Sequence, residues 1–217
     1  MTLRRMMGLV VVAGLAALAV LAYTIVGAFL PWREAAEAER LADLAGITHG
    51  QTVAEIGAGS GRFTEAVARR VGPDGRVYST EITAENRAAI RRRVEAAGLG
   101  NVSVVEAGAD ATNLPDGCCD VVFLRNVYHH IASPDAFAAS LRRAVRPGGR
   151  LAVIDFEPGA FWFHGGRPEE ASERRAGHGV SRAEVKAEIT GAGFGLESEI
   201  TDWSGPLWMI IFTAPAR

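Results

Sequence analysis

VAEIGAGSG, residues Val53 to Gly61, decides how the rest of the chain is read. Val53 to Ile56 is a short apolar run that predicts a buried strand. Gly57, Gly59 and Gly61 follow at once, and Arg62 to Val71 then carries a helical pattern. Strand, glycine turn and helix together form a site of nucleotide size. The glycines let the chain turn sharply and let a ligand approach the backbone. Glu55 is a charged residue inside an apolar strand. A buried carboxylate is costly unless something pairs with it, so Glu55 is expected to face the ligand or the turn.

Outward from this stretch the chain alternates. Gly72-Pro73-Asp74-Gly75 reads as a turn. Strands are predicted at 76–80, ending at Glu81, then at 102–106, 120–124 and 150–156. Helices are predicted at 84–97 and 134–145, with Pro147-Gly148-Gly149 as a turn before the fifth strand. Such alternation argues for a parallel sheet with helices on both faces. Ser181 with Glu184 forms a capping box for a helix running to about Ala192. Leu196 to Thr201 and Leu207 to Thr213 read as a terminal hairpin, with 202–206 as its loop. On the amino-terminal side, Arg33 to Ala45 reads as a helix with Ala36, Leu41, Leu44 and Ala45 along one face.

Composition sets the bounds. The 217 residues suffice for one sizeable domain plus an appendage. A net charge of −2 does not suggest a nucleic-acid binder held by a general electrostatic field. Cys118 and Cys119 are the only cysteines. Their adjacency makes neither a disulfide framework nor a metal site, and they read as small core residues at a strand entry. No metal is expected.

Residues 6–32 carry no charge. As a helix, residues 6–30 would be about 37 Å long, enough to cross a hydrocarbon core of about 30 Å. The run exceeds the usual length of a signal-peptide apolar region. It is therefore expected to be an uncleaved, single-pass anchor over residues 1–32, with the domain at 33–217. Arg4 and Arg5 before the span favour a cytoplasmic amino terminus. That puts the domain outside the cytoplasm, where the cofactor argued for below is not made, and the side of the membrane stays open.

Three further features fall where the glycine turn predicts a ligand. Glu81 ends the second strand, about 20 residues beyond the turn, where a carboxylate can accept both hydroxyls of a ribose. Asp110 follows the third strand in GADATNLP. Arg125 and Asn126 follow the fourth. Ligands of open α/β sheets lie beyond the carboxyl ends of the strands, so these residues converge. A dinucleotide fingerprint, G-x-G-x-x-G, would need glycine at position 62, and Arg62 stands there.

With these motifs the chain, from about Arg40 to Ala214, resembles the Rossmann-like S-adenosylmethionine-dependent methyltransferases. EIGAGSG, the acid of STEI, GADATNLP, VYHHI after the fourth strand and RPGGRLAVIDF carry the resemblance. LRNV, RPGGRL and DF look like the quinone-biosynthesis C-methyltransferases. The resemblance implies a seven-stranded, mostly parallel sheet with an antiparallel last strand. It implies S-adenosylmethionine as cofactor, with Glu55, Gly57, Ala58, Gly59 and Gly61 around the methionine portion and the ribose. Glu81 would hold the ribose hydroxyls, and Ile82 would pack on adenine. Asp110 and Ala111 would meet the adenine edge. Arg125 or Asn126 would lie near the methionine carboxylate or the sulfonium.

Methyl transfer is an in-line displacement that rests mainly on positioning. A base is needed only for an acceptor that must lose a proton. Tyr128, His129, His130, Asp155 and Glu157 are the candidates, and His129 is the first choice. Phe161-Trp162-Phe163 and the anchor hint at a small, lipid-like acceptor near the bilayer. The alternative from another class is a catalytically silent, cofactor-binding sensor or scaffold.

Overall fold

The computed structural model describes residues 33–160 and 179–216. The expected anchor over residues 6–30 and the aromatic run Phe161 to Phe163 lie outside the described residues. Among the described residues no helix is long and apolar enough to cross a membrane. The chain divides between Glu37 and Ala38, within a first helix, α1, over residues 33–45. The second unit is described below.

Seven strands form one sheet: β1 (Thr52–Ile56), β2 (Arg76–Glu81), β3 (Val102–Glu106), β4 (Cys119–Arg125), β5 (Val145–Phe156), β6 (Gly195–Ser204) and β7 (Leu207–Thr213). Their order is β3-β2-β1-β4-β5-β7-β6. β1 to β5 run parallel, and β7 runs antiparallel to both β5 and β6. The helices that follow are α2 (Arg62–Val71), α3 (Ala84–Ala96), α4 (Pro134–Ala144) and α5 (Arg182–Gly191).

The apolar runs of the central strands are explained by burial on both faces. Successive side chains point to opposite sides. Ala54, Val122, Leu124, Leu151, Val153, Ile210 and Phe212 join one cluster with Phe137 and Leu141 of α4 and Val185 and Ile189 of α5. Val53, Val121, Phe123, Ala152, Ile154, Met209 and Ile211 join the other, with Leu41 of α1 and Phe63 and Val67 of α2. The predicted capping box at Ser181 and Glu184 is present and starts α5.

Four readings are corrected. In α1 the buried stripe is Ala38, Leu41, Ala42 and Ala45, while Leu44 is 41% exposed. That stripe follows helical spacing, and Leu44 stands about 100° from Leu41's neighbour Ala45 at 3.6 residues per turn. Pro147-Gly148-Gly149 is not a turn ahead of β5 but lies within it. Cys119 pairs with Val145 and Val121 with Arg150, so a bulge holds the glycines. Its backbone is tied to the chain after β7, through Gly148 N–H to the Ala214 carbonyl at 3.0 Å and Ala214 N–H to the Gly149 carbonyl at 2.8 Å. A Cβ on Gly149 would sit 2.8 Å from the Asp120 carbonyl oxygen, which is why the residue must be glycine. The hairpin loop is also shorter than read. β6 continues to Ser204, and only Gly205-Pro206 turns. Trp203 is buried there, with the Arg40 guanidinium 4.8 Å over its ring in a cation–π contact. Finally, Cys118 and Cys119 are joined to each other as a disulfide between neighbours. Cys119 is still a buried core residue, as expected.

Candidate functional site

The carboxyl ends of β1, β2 and β4 meet where the sheet order changes direction, as open α/β sheets place their ligand sites. β1 delivers the glycine turn. Gly57, Gly59 and Gly61 have φ of 70°, 54° and 77°, the left-handed region that glycine enters without strain. The N–H groups of Gly57 and Ala58 both donate to the Thr80 carbonyl at 3.0 Å, locking the turn against the end of β2. Gly61 caps the start of α2.

Glu81, at the last position of β2, reaches back to this turn. Its carboxylate accepts from Gly59 N–H at 2.9 Å and from Ile82 N–H at 2.8 Å. The Ile82 side chain is 62% exposed. After β4, Asn126 takes φ 55°, and its N–H donates to the Ile154 carbonyl at 2.9 Å. Its side-chain Oδ1 is buried without a hydrogen-bond partner in the described structure.

These residues border one cavity of about 360 Å³. Of the residues expected at a cofactor, Gly57, Glu81, Ile82 and Asn126 line it. Ala107, Gly108, Ala109, Val127, Ile131, Ala132 and Phe137 line it too, and sequence reading did not single them out. Asp110 is exposed beside the cavity and Ala111 lies behind its wall, where the Ala111 carbonyl accepts Gly108 N–H at 3.0 Å. The backbone of 107–109, rather than the Asp110 side chain, makes that wall. A larger hollow of about 680 Å³ around Gly75, Arg76, Leu99 and Asn101 lies at the opposite, amino-terminal ends of β2 and β3. It contains none of the expected residues.

Glu55 does not line the cavity. It is 5% exposed and sits beneath the turn. The Thr64 hydroxyl of α2 donates to it and in turn lies 2.8 Å from the Ser79 hydroxyl. Burial pushes the Glu55 carboxyl up to about 8, against the Thr64 hydrogen bond and the Arg125 charge, which pull it down; the Glu81 charge pushes it further up. The folded domain thus holds a proton that the unfolded chain has shed. Stability contributed by Glu55 is full at low pH and is lost as pH rises from about 4.5 to about 8. Urea unfolding at pH 5, 6.5 and 8 is expected to show this decline, and Glu55→Gln is expected to flatten it. Equal slopes in the two proteins would refute it.

Arg125 lies over the Phe63 ring at 4.9 Å, on the α2 side of the sheet. Tyr128 to His130 form a short 3-10 turn after β4. His129 is 4% exposed, and its Nδ1 lies 2.7 Å from Asp155 Oδ1. The His129 backbone N–H donates to Asp155 Oδ2 at 3.1 Å. His130, whose ring centroid is 4.0 Å from that of His129, is the imidazole at the cavity. Burial, and then the His129 charge, hold its pKa below the usual histidine value, against the pull of Asp155. Tyr128 is buried and donates to Glu188 at 2.9 Å. Glu157 is tied to Arg182 at 2.8 Å. Of the five base candidates, His130 alone borders the cavity.

The arrangement suits one ligand chemistry. An exposed aliphatic face, a carboxylate held by a glycine-turn amide and an orphaned amide oxygen complement an aromatic base, a diol and a cationic or N–H group.

Comparison with known proteins agrees. Residues 54–153 match the family described as a methyltransferase domain. The ubiquinone/menaquinone biosynthesis C-methyltransferase UbiE of Pasteurella multocida is 33% identical over 115 residues, 52% of this chain and 43% of that protein. The chain therefore spans under half the length of that relative in the match. A SAM-dependent methyltransferase from Aquifex aeolicus has the same fold, with TM-score 0.68 and 24% identity over 81% of this chain and 88% of that one. So has the Haemonchus contortus phosphoethanolamine N-methyltransferase 2 solved with S-adenosyl-L-methionine, with TM-score 0.64 and 17% identity over 82% and 52%. Residues 54–153 thus match the methyltransferase domain, the sheet has the fold of S-adenosylmethionine-dependent methyltransferases of known structure, and the sequence is similar to the quinone-biosynthesis C-methyltransferases.

Proposed function

We propose that this chain transfers a methyl group from S-adenosylmethionine to a small lipophilic acceptor at a membrane, by in-line displacement. The cavity shared by Gly57, Glu81, Ile82 and Asn126 carries the reading. When bound, the cofactor supplies a methyl carbon already activated by a sulfonium. Glu81 holds the ribose hydroxyls, and Ile82 covers the adenine. The 107–109 backbone bounds the adenine edge, the Ala111 carbonyl braces that segment through Gly108 N–H, and Asp110 stands exposed after it. Asn126 Oδ1 accepts from the methionine end, beside Arg125. Glu55, Ala58, Gly59 and Gly61 shape the floor and the turn rather than the lining. An acceptor that must shed a proton meets His130, while His129 is held in orientation by Asp155.

Three observations support the lipophilic acceptor and the membrane. Residues 6–32 are uncharged, and Phe161-Trp162-Phe163 follows the fifth strand. The curated relative is named for ubiquinone and menaquinone biosynthesis.

Calorimetric titration of the full chain in detergent tests the reading. S-adenosylmethionine and S-adenosylhomocysteine are both expected to bind. Glu81→Ala removes charge-assisted hydrogen bonds of about 1.5–3 kcal/mol and is expected to weaken both by about 10–100-fold. Failure of the wild type to bind either ligand refutes the reading, and unchanged affinity in the variant removes Glu81 from the site.

A further inference from the structure

Among the described residues, Glu55 is the one buried carboxyl next to the cavity that no step above uses. Its position is unusual. It stands in β1 between β2 and β4, level with Ser79 and Phe123, one residue before the cavity-lining Ile56 and Gly57. Its hydrogen-bond donors are the hydroxyl and the backbone of Thr64, both neutral. The charged groups that act on it are Arg125 from β4 and Glu81 from β2, one of each sign. α2 contributes only Thr64, which is shared with Ser79 of β2. The two charges therefore act in opposite directions on a group whose burial is the largest influence. Its ionisation is then decided by whatever charge arrives in the cavity.

The two forms of the cofactor differ in charge by chemistry alone. S-adenosylmethionine has a sulfonium and an ammonium, and S-adenosylhomocysteine has only the ammonium. We propose that Glu55 senses the charge of the bound cofactor: its carboxyl is protonated while the cavity is empty, gives that proton to solvent when the sulfonium form binds, and takes one back when the methyl group has left. The anion so formed favours the methyl donor over the spent product. The inference rests on the cofactor reading above. It goes beyond that reading by giving the floor of the site a role in exchanging product for donor. The balance is simple: one proton goes from Glu55 Oε to bulk water on binding and one returns after transfer, with no other group oxidised or reduced.

A further consequence concerns pH. A carboxyl raised by burial to about 8 is mostly protonated at pH 7. Binding of the sulfonium form must then strengthen as pH rises, by up to about tenfold per unit where one proton is released. Binding of the product should be shallower.

The test is calorimetry on the full chain at pH 7, in phosphate and in Tris, whose ionisation enthalpies differ. The number of protons released follows from the difference in heat. Wild type is compared with Glu55→Gln, which mimics the neutral carboxyl. The ligands' own amino groups titrate in both proteins and cancel in the comparison. With S-adenosylmethionine, wild type is expected to release up to about one proton more than Glu55→Gln, and with S-adenosylhomocysteine clearly less. Glu55→Gln is expected to lose about tenfold in affinity for S-adenosylmethionine and about threefold or less for S-adenosylhomocysteine. Carboxyl carbon NMR of the wild type, labelled at glutamate, gives a second readout that needs no variant. The Glu55 resonance should move from its neutral to its anionic position on adding S-adenosylmethionine. Equal proton release by wild type and variant, equal release with both ligands, or an unmoved resonance overturns the inference while leaving the cofactor reading intact. Absence of binding by either ligand overturns the cofactor reading itself.

Discussion

Asp155→Ala is expected to cost the domain about 3–5 kcal/mol and to lower its melting temperature by about 10 °C. Asp155 is completely buried at the second-last position of β5. Its carboxylate accepts from His129 Nδ1 at 2.7 Å, from His129 N–H at 3.1 Å and from Phe156 N–H at 3.0 Å. Alanine removes all three at once and leaves a buried imidazole facing an empty space. An unmade buried hydrogen bond costs about 1–3 kcal/mol, more than a made one contributes. Asp155→Asn keeps an acceptor oxygen and is expected to lose about half as much. Urea denaturation at pH 7 measures both. A loss below about 1 kcal/mol for Asp155→Ala would show that His129 does not depend on this partner.

Gly57→Ala is the second large effect. A Cβ at Gly57 would lie 2.5 Å from Val127 Cγ2 and 3.1 Å from Cγ1, at a φ of 70°. The left-handed conformation alone costs a non-glycine residue about 1–2 kcal/mol. Val127 must also give way, and Val127 lines the cavity. The variant is expected to lose about 2–3 kcal/mol of stability and at least about tenfold in S-adenosylmethionine affinity. Gly59→Ala is the matched comparison. Its Cβ meets nothing within 4 Å, so only the backbone cost, about 1 kcal/mol, is expected. Equal effects at the two positions would mean that conformation alone, and not the contact with Val127, sets the cost.

The fold was legible because the glycines and prolines fall between runs of one period. β3 was read to its last residue, and β1, β2, β4, α3, α4, α5 and β7 within about two residues at each end. The misreadings share a cause. Pro147-Gly148-Gly149 and Asp202 to Ser204 have turn chemistry, yet both fall at irregularities inside strands that are paired on either side, at Val145 and Arg150 in β5 and at Ile200 and Ser204 in β6. Local composition cannot report a partner that arrives from far along the chain. Leu44 shows the same limit in a helix: its hydropathy suited the core, but its angle on α1 did not. At the site, Gly57, Glu81 and Asn126 were found because glycine, a strand-end acid and a post-strand amide carry a chemical signature, whereas Ile82 was named only through the family resemblance. Ala107, Ala109, Val127, Ile131 and Phe137 carry none; the first four reach the cavity on two loops, and Phe137 reaches it from α4. The neighbours His129 and His130 look alike in sequence, and only the 3-10 turn sends one to Asp155 and the other to the cavity.

β7 is the last of the seven strands to be made, yet it lies between β5 and β6 rather than at an edge. On a ribosome, β6 therefore emerges with no partner to receive it. β1 to β5 can assemble, but the free side of β5 stays open, with Leu151 to Phe156 awaiting Phe212 to Leu207. A chain cut before Leu207 would lose the attachment of two strands and would expose the interior of the sheet. Strands added one by one from the amino terminus tolerate a premature stop by losing an edge. Here a stop before Leu207 removes an inner strand and leaves β6 without the neighbour it pairs with.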